Sequence, residues 1–193
     1  MVKNKQSEVP KKHHLIIYSD DESMMRMLKS MDRLAKEDNL SFGPPHSPST
    51  ELLTKLKWYD GTVKPYYYYS TQKSNGIQQL QVQSQKNIMK YCDKVIQNVV
   101  NNASNKQVCC LDFLMNDVKK SSLKEVLHIE KVYDDNRIAG LMYCAYKTDN
   151  VLNSKIKDLI ELFEMHDQIF ILNEDEVYKL HITKENVHKL FLS

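Results

Sequence analysis

Three groups of residues in this 193-residue chain carry chemistry, and their spacing decides what they can do. Ser19-Asp20-Asp21-Glu22 sets carboxylates side by side, as a cation site or an acid/base pair would. The same spacing, serine followed three residues later by glutamate, is a capping box. It opens a helix whose inner face would be Met24, Met27, Leu28, Met31 and Leu34, and the cap is the expected role. The seven histidines are His13, His14, His46, His128, His166, His181 and His188. None is spaced as a ligand pair on one helix face, and His13-His14 lies in the expected flexible arm. The four cysteines, Cys92, Cys109, Cys110 and Cys144, sit in apolar segments without a Cys-x-x-Cys pair. Neighbours on a strand point to opposite faces, so Cys109 and Cys110 cannot share a metal. Reduced core thiols are expected, with no metal ligand set, no catalytic residue and no cofactor. A Cys-His or Ser-His-Asp site could still assemble in three dimensions, but the sequence gives no reason to choose one.

The four glycines, Gly43, Gly61, Gly76 and Gly140, are too scattered to form a phosphate-cradling loop. That excludes the Walker and dinucleotide fingerprints and argues against a coenzyme A acetyltransferase, whose pyrophosphate is gripped by backbone amides. Tyr66 to Tyr69 could stack bases or sugars, but a strand with tyrosine on both faces is more often half core and half wet surface. With 27 basic and 25 acidic side chains, the chain lacks the concentrated basic face of a nucleic-acid binder. It has no apolar run of about 18 residues for a membrane span. The basic opening leads to only four apolar residues, Leu15 to Tyr18, too few for a secretory signal. A cytoplasmic or nuclear protein is expected.

Any site must be positioned by the elements around it. Ile88, Tyr91, Cys92, Val95, Ile96, Val99 and Val100 form one apolar helical face, ended by the Asn101 to Asn105 stretch. Val108 to Leu114 is then continuously apolar, which suits a strand buried on both faces. Leu15 to Tyr18 reads as a short strand. Asn39 to Ser49 holds three of the five prolines and is a loop. A short helix from Glu51 to Lys57, a tyrosine strand and an Asn75-Gly76 hairpin turn with a returning strand follow. Leu123, Val126, Leu127 and Ile129 suggest a helix giving way to a strand near Ile129 to Tyr133. Ile138 to Tyr146 is a long apolar strand, and Leu152, Ile156, Leu159, Ile160 and Phe163 form a helical stripe. Ile169 to Leu172 and Val177 to Ile182 make a hairpin around an acidic turn.

Helices interspersed among strands that hairpins join in places favour an α+β class, a mixed β-sheet packed by helices, or a mixed-sheet α/β sandwich, in one layer pair. Residues 1 to 12 are expected to be a disordered basic arm, and residues 13 to 193 a single domain. That domain would carry the proline-rich loop at 39 to 49 and a C-terminal helix-hairpin extension at 150 to 193.

Over residues 15 to about 149 the chain resembles the ornithine decarboxylase antizymes. The shared features, in order, begin with Tyr18-Ser19-Asp20-Asp21 behind a short apolar strand, the single Trp58 in KLKWYDGTV, and the tyrosine strand. They continue with the helix from Ile88, the strand Val108 to Leu114, the helix passing into Ile129 to Val132, and Tyr143-Cys144-Ala145-Tyr146. The resemblance implies an acetyltransferase-like sandwich without a cofactor loop. It implies a noncatalytic inhibitor, not an enzyme, that binds ornithine decarboxylase, blocks its homodimer and promotes ubiquitin-independent degradation by the proteasome, lowering polyamine synthesis. Production through ribosomal frameshifting is implied as well. The partner-binding positions would be Asp93, Lys94, Gln97, Asn116, Asp117, Lys119 and Lys120. Alternatives are a small acetyltransferase-like enzyme and an accessory interaction module of unknown partner.

Overall fold

The computed structural model describes residues 11–37, 41–42, 107–117, 122–174 and 176–181, with the single positions 46, 52, 90, 93, 94, 97, 101 and 186. In chain order the elements are β1 (Lys11–Tyr18), α1 (Asp21–Glu37), β2 (Ser41–Phe42) and β3 (Val108–Asp112). A 3-10 turn (Leu114–Asp117) leads to α2 (Leu123–Asp135) and β4 (Gly140–Lys147). The short α3 (Thr148–Leu152), α4 (Ile156–Glu164), β5 (Gln168–Asn173) and β6 (Glu176–Leu180) complete the order.

The strands form one sheet in the order β2-β3-β4-β1-β5-β6. Every pairing from β2 to β5 is parallel, and only β6, returning from β5, is antiparallel. This corrects the expected acetyltransferase-like sandwich. Leu15, Ile17, Cys110, Met142, Cys144 and Ile169 pack on one face of the sheet against α2, Val151 and Leu162. Ile16, Tyr18, Cys109, Leu111, Ala145 and Leu172 pack on the other face with Met24, Leu28 and Met31 of α1. The sheet therefore has an apolar core on each face, and the molecule is a three-layer α/β body. Strands buried on both faces read as continuous apolar runs, the signature of a parallel sheet. Val108 to Leu114 showed that signature, but the genuine β5–β6 hairpin drew the class toward α+β.

Two local expectations change for identifiable reasons. The segment after Leu123 does not turn into a strand at Ile129, because the helical spacing continues through Glu130 and Tyr133, both buried on the same stripe. The α1 cap is Asp20, not Ser19. The Ser23 amide donates to Asp20 Oδ1 at 2.7 Å and the Ser23 hydroxyl to Oδ2 at 2.6 Å. Leu34, assigned to the inner face of α1, is half exposed. The apolar stripe from Leu152 to Phe163 is divided between α3 and α4, with Leu152 and Ile156 exposed.

One glycine is required by the backbone. Gly140 begins β4 at φ +120°, and a Cβ there would collide with the Val108 carbonyl oxygen. It lies opposite Lys11 at the amino end of β1. The helix Glu51 to Lys57, apart from the helical and buried Leu52, and the tyrosine strand and Asn75-Gly76 hairpin lie outside the described residues. So does most of the helix beginning at Ile88.

Candidate metal centre

Residues 13, 15 and 17 of β1 share the face covered by α2, and Leu15 and Ile17 fill it with hydrocarbon. His13 takes the same face near the amino end of the strand, where it is 1% exposed. Across from it, α2 places Glu130 in its apolar stripe at 0% exposure. From the adjacent strand β4, Cys144 points to the same side between Met142 and Tyr146. His166 comes from the turn just after α4 and is 6% exposed. Four potential ligands from four segments therefore converge, with their ligating atoms all within 4.8 Å of one another.

The distances fit a small coordination sphere. His13 Nε2 lies 3.3 Å from Glu130 Oε2 and 3.4 Å from Cys144 Sγ. His166 Nε2 lies 3.5 Å from the same Glu130 oxygen. A tetrahedral ion with bonds of about 2.0–2.1 Å to nitrogen and oxygen and about 2.3 Å to sulfur separates its ligand atoms by roughly 3.3–3.6 Å. The remaining atoms are committed elsewhere. His166 Nδ1 donates to the Leu162 carbonyl at 2.7 Å, which orients the ring so that Nε2 faces the cluster. The Tyr146 hydroxyl donates to Glu130 Oε1, so Oε2 is the carboxylate oxygen turned inward.

As an ion-free cluster the same atoms are poorly satisfied. Glu130 Oε2 and His166 Nε2 are buried without a hydrogen-bond partner, because their close contacts lack hydrogen-bond alignment. His13 Nδ1 is buried without one as well. Each buried polar atom left so costs about 1–3 kcal/mol. Burial raises the Glu130 pKa, but His166 and His13 beside it outweigh that and hold the carboxyl below its usual range. Burial, followed by His166, lowers the His13 pKa, the direction that favours the neutral imidazole a metal ligand must be. The Cys144 thiol is pushed up by burial and by Glu130; coordination would deprotonate it outright. Two neutral imidazoles, a carboxylate and a thiolate sum to a charge that matches a divalent cation.

The carboxyl end of the sheet is arranged differently. The chain leaves β1 toward β2 on one side and leaves β4 toward β5 on the other, so the crevice between their carboxyl ends is where doubly wound sheets usually bind ligands. Here that crevice is closed by the chain itself. Lys147 Nζ pairs with Asp21 at 3.4 Å across it, and the α1 amide at Ser23 is taken by Asp20. Ser23 and Arg26 also donate to the Glu174 carbonyl, which ties the β5–β6 turn over the same end. Burial raises the Asp20 pKa, but hydrogen bonds from Ser23 and Ser19 lower it further, to about 2.

The sequence missed this cluster, and the structure shows why. His13 was assigned to a flexible arm but lies within β1, and Cys144 was placed in the core without its polar neighbours. Glu130 left one visible signal, a carboxylate at a buried helical position. Of the positions implied to bind a partner, Asp93, Lys94 and Gln97 have helical backbone and are exposed. Asn116 and Asp117 belong to the 3-10 turn, while Lys119 and Lys120 lie outside the described residues. Cys109 and Cys110 are free and buried on opposite faces, as their adjacency predicts. Cys92 lies outside the described residues. No helix among the described residues is long and apolar enough to cross a membrane.

No family profile matches the chain, and no curated protein does. Solved structures do. The Pyrococcus horikoshii protein PH0250 superposes with a TM-score of 0.52 at 14% identity, over 88% of this chain and 85% of that one. PH0321 of the same organism, an uncharacterized protein in complex with an unknown peptide, gives 0.51 at 13% identity over 91% and 85%. A KaiC-like protein of that organism, PH0186, reaches 0.49 at 9% identity over 88% and 77%, and an ATPase domain also appears. The likenesses to PH0250 and PH0321, neither of them to an antizyme, overturn the antizyme resemblance. Decarboxylase inhibition, polyamine control, frameshifting and proteasomal delivery fall with it, and the expectation of a noncatalytic protein loses its basis. At these identities the chain shares with PH0250 and PH0321 a fold.

Proposed function

We propose that this chain binds a zinc ion in the cluster of His13, Glu130, Cys144 and His166, and that the ion is structural. The observation that carries the reading is the convergence of four buried donor atoms within 4.8 Å of one another, in which Glu130 Oε2 and His166 Nε2 face each other at 3.5 Å without an aligned hydrogen bond. They sit at tetrahedral spacing from their neighbours, with their other atoms already engaged. Mixed nitrogen, sulfur and oxygen donors in a small sphere suit zinc better than the larger oxygen-rich shells of calcium or magnesium. Four buried protein ligands leave no open position for substrate, which is the arrangement of a structural site. The ion would join β1, α2, β4 and the turn after α4, tying the central strand pair to the helical layer on one face.

The likeness to PH0250 and PH0321 supplies the architecture for this reading and no ligand. Nor does the β1–α1 junction support phosphate binding, because Asp20 and Asp21 place carboxylates where a phosphate would sit.

The test is metal analysis of protein refolded with and without zinc, followed by thermal unfolding. One zinc per chain is expected. Free zinc at about 100 times its dissociation constant should add roughly 2.7 kcal/mol of stability. A Cys144→Ala, His166→Ala double variant should lose both the zinc and the added stability. Wild-type protein that takes up no zinc, or that melts identically with and without it, would refute the assignment.

A further inference from the structure

The four ligand residues are 0–6% exposed, so an ion cannot enter or leave without a local opening. Three of them are held in regular structure. His13 and Cys144 lie in β1 and β4, which pair along their full lengths, and Glu130 lies within α2. His166 alone stands outside any helix or strand, in the turn between α4 and β5. An opening that leaves the sheet intact must therefore move this turn.

Beside the bonds His166 makes to Phe163 and Leu162, one side chain spans the turn from outside. Arg137, in the connection between α2 and β4, reaches Asp167 Oδ2 at 2.5 Å and the Met165 carbonyl at 3.4 Å, on either side of His166. Its other contacts anchor it to fixed ground: Asp134 near the end of α2, at 3.0 Å from Nε, and the Lys11 carbonyl at the start of β1, at 3.5 Å. Asp167 in turn clasps β1 from both directions, its amide donating to the His13 carbonyl at 2.7 Å and its carboxylate accepting from the His13 amide at 2.9 Å. Arg137 and Asp167 are about a quarter exposed on their side chains, so this ion pair lies between the buried ligands and solvent.

We propose that the Arg137–Asp167 pair is the latch of the metal centre and that the 165–167 turn is its gate, an inference that rests on the zinc reading above. The latch contributes no ligand. It sets how often the His166 turn swings away from His13 and hence how fast zinc exchanges. Because the turn must open for both uptake and release, a weakened latch speeds both by the same factor and leaves the affinity nearly unchanged.

The experiment measures zinc release from the loaded full chain into excess EDTA, and zinc uptake by the metal-free chain, for wild type, Arg137→Gln, Arg137→Lys and Asp167→Asn. Arg137→Gln should exchange on the order of ten-fold faster in both directions with its zinc stoichiometry and dissociation constant preserved, an effect equal to about 1.4 kcal/mol of gating free energy. Arg137→Lys, which keeps one charged contact, should recover part of the slowing. Asp167→Asn keeps an acceptor for the His13 amide, breaks the same bridge from the other side, and must accelerate exchange even if Arg137→Gln fails to fold. Global unfolding followed by circular dichroism must remain slower than release, so that exchange reports the gate. Unchanged exchange rates in a fully loaded variant, or a loss of affinity carried by release alone, would overturn the latch while leaving the zinc site standing. Failure of wild-type protein to take up zinc would overturn both.

Discussion

The two ends of β1 treat polar groups in opposite ways. At the carboxyl end, Asp20, Ser23 and Arg26 satisfy one another and Lys147 pairs with Asp21, contacts that lie across the crevice in which a doubly wound sheet usually holds its ligand. At the amino end, His13 opens into a buried group of four donor atoms, two of which make no aligned hydrogen bond. A shared architecture therefore does not fix where a ligand binds. The place is set by where donor atoms converge, and here that is the end opposite the usual one.

The contrast can be broken most severely at the amino end. Glu130→Ala removes the only carboxylate between two buried imidazoles and leaves the Tyr146 hydroxyl without its acceptor, so roughly 3–5 kcal/mol should be lost in urea denaturation. Gly140→Ala disturbs the same end through the backbone. Its Cβ would press on the Val108 carbonyl and amide at a positive φ, and a loss of about 3 kcal/mol is expected by the same measurement.

Smaller effects sharpen the carboxyl end. Asp20→Ala deletes the α1 cap and should cost about 1 kcal/mol without changing zinc content. The same carboxylate predicts a pH dependence. Its folded pKa is about 2, below the ordinary aspartate value of 3.8, so its contribution is present above pH 3.8 and lost as pH falls toward 2. Unfolding midpoints of wild type and Asp20→Asn should accordingly converge across that window. Parallel curves down to pH 2 would show that the cap does not act as a charge. Lys147→Met should cost the least, about 1 kcal/mol, since Lys147 is partly exposed although its partner Asp21 is buried.

How much of this was legible in the sequence follows from the range over which each signal acts. Periodicity is local, so Met24, Leu28 and Met31 announced the buried face of α1, and the unbroken apolar run at Val108 announced a strand covered on both sides. Strand order is not local. Nothing near Leu15 says that its neighbours will be Cys144 and Ile169, and an ordered series of weak short matches filled that gap with the wrong family. The metal cluster is less visible still, because its members are separated by 117, 14 and 22 residues and share no spacing rule. Glu130 was the one readable clue. A carboxylate on a buried helical stripe must find a partner, and His13 and His166 are the histidines the fold brings to it.

The most direct test is X-ray absorption at the zinc edge of the loaded protein. Coordination by His13, Glu130, Cys144 and His166 predicts a four-coordinate ion with one sulfur at about 2.3 Å and three nitrogen or oxygen ligands near 2.0–2.1 Å, the sulfur signal vanishing in Cys144→Ala. A six-coordinate shell of light atoms with no sulfur, unchanged by that substitution, would place the ion elsewhere and contradict the account.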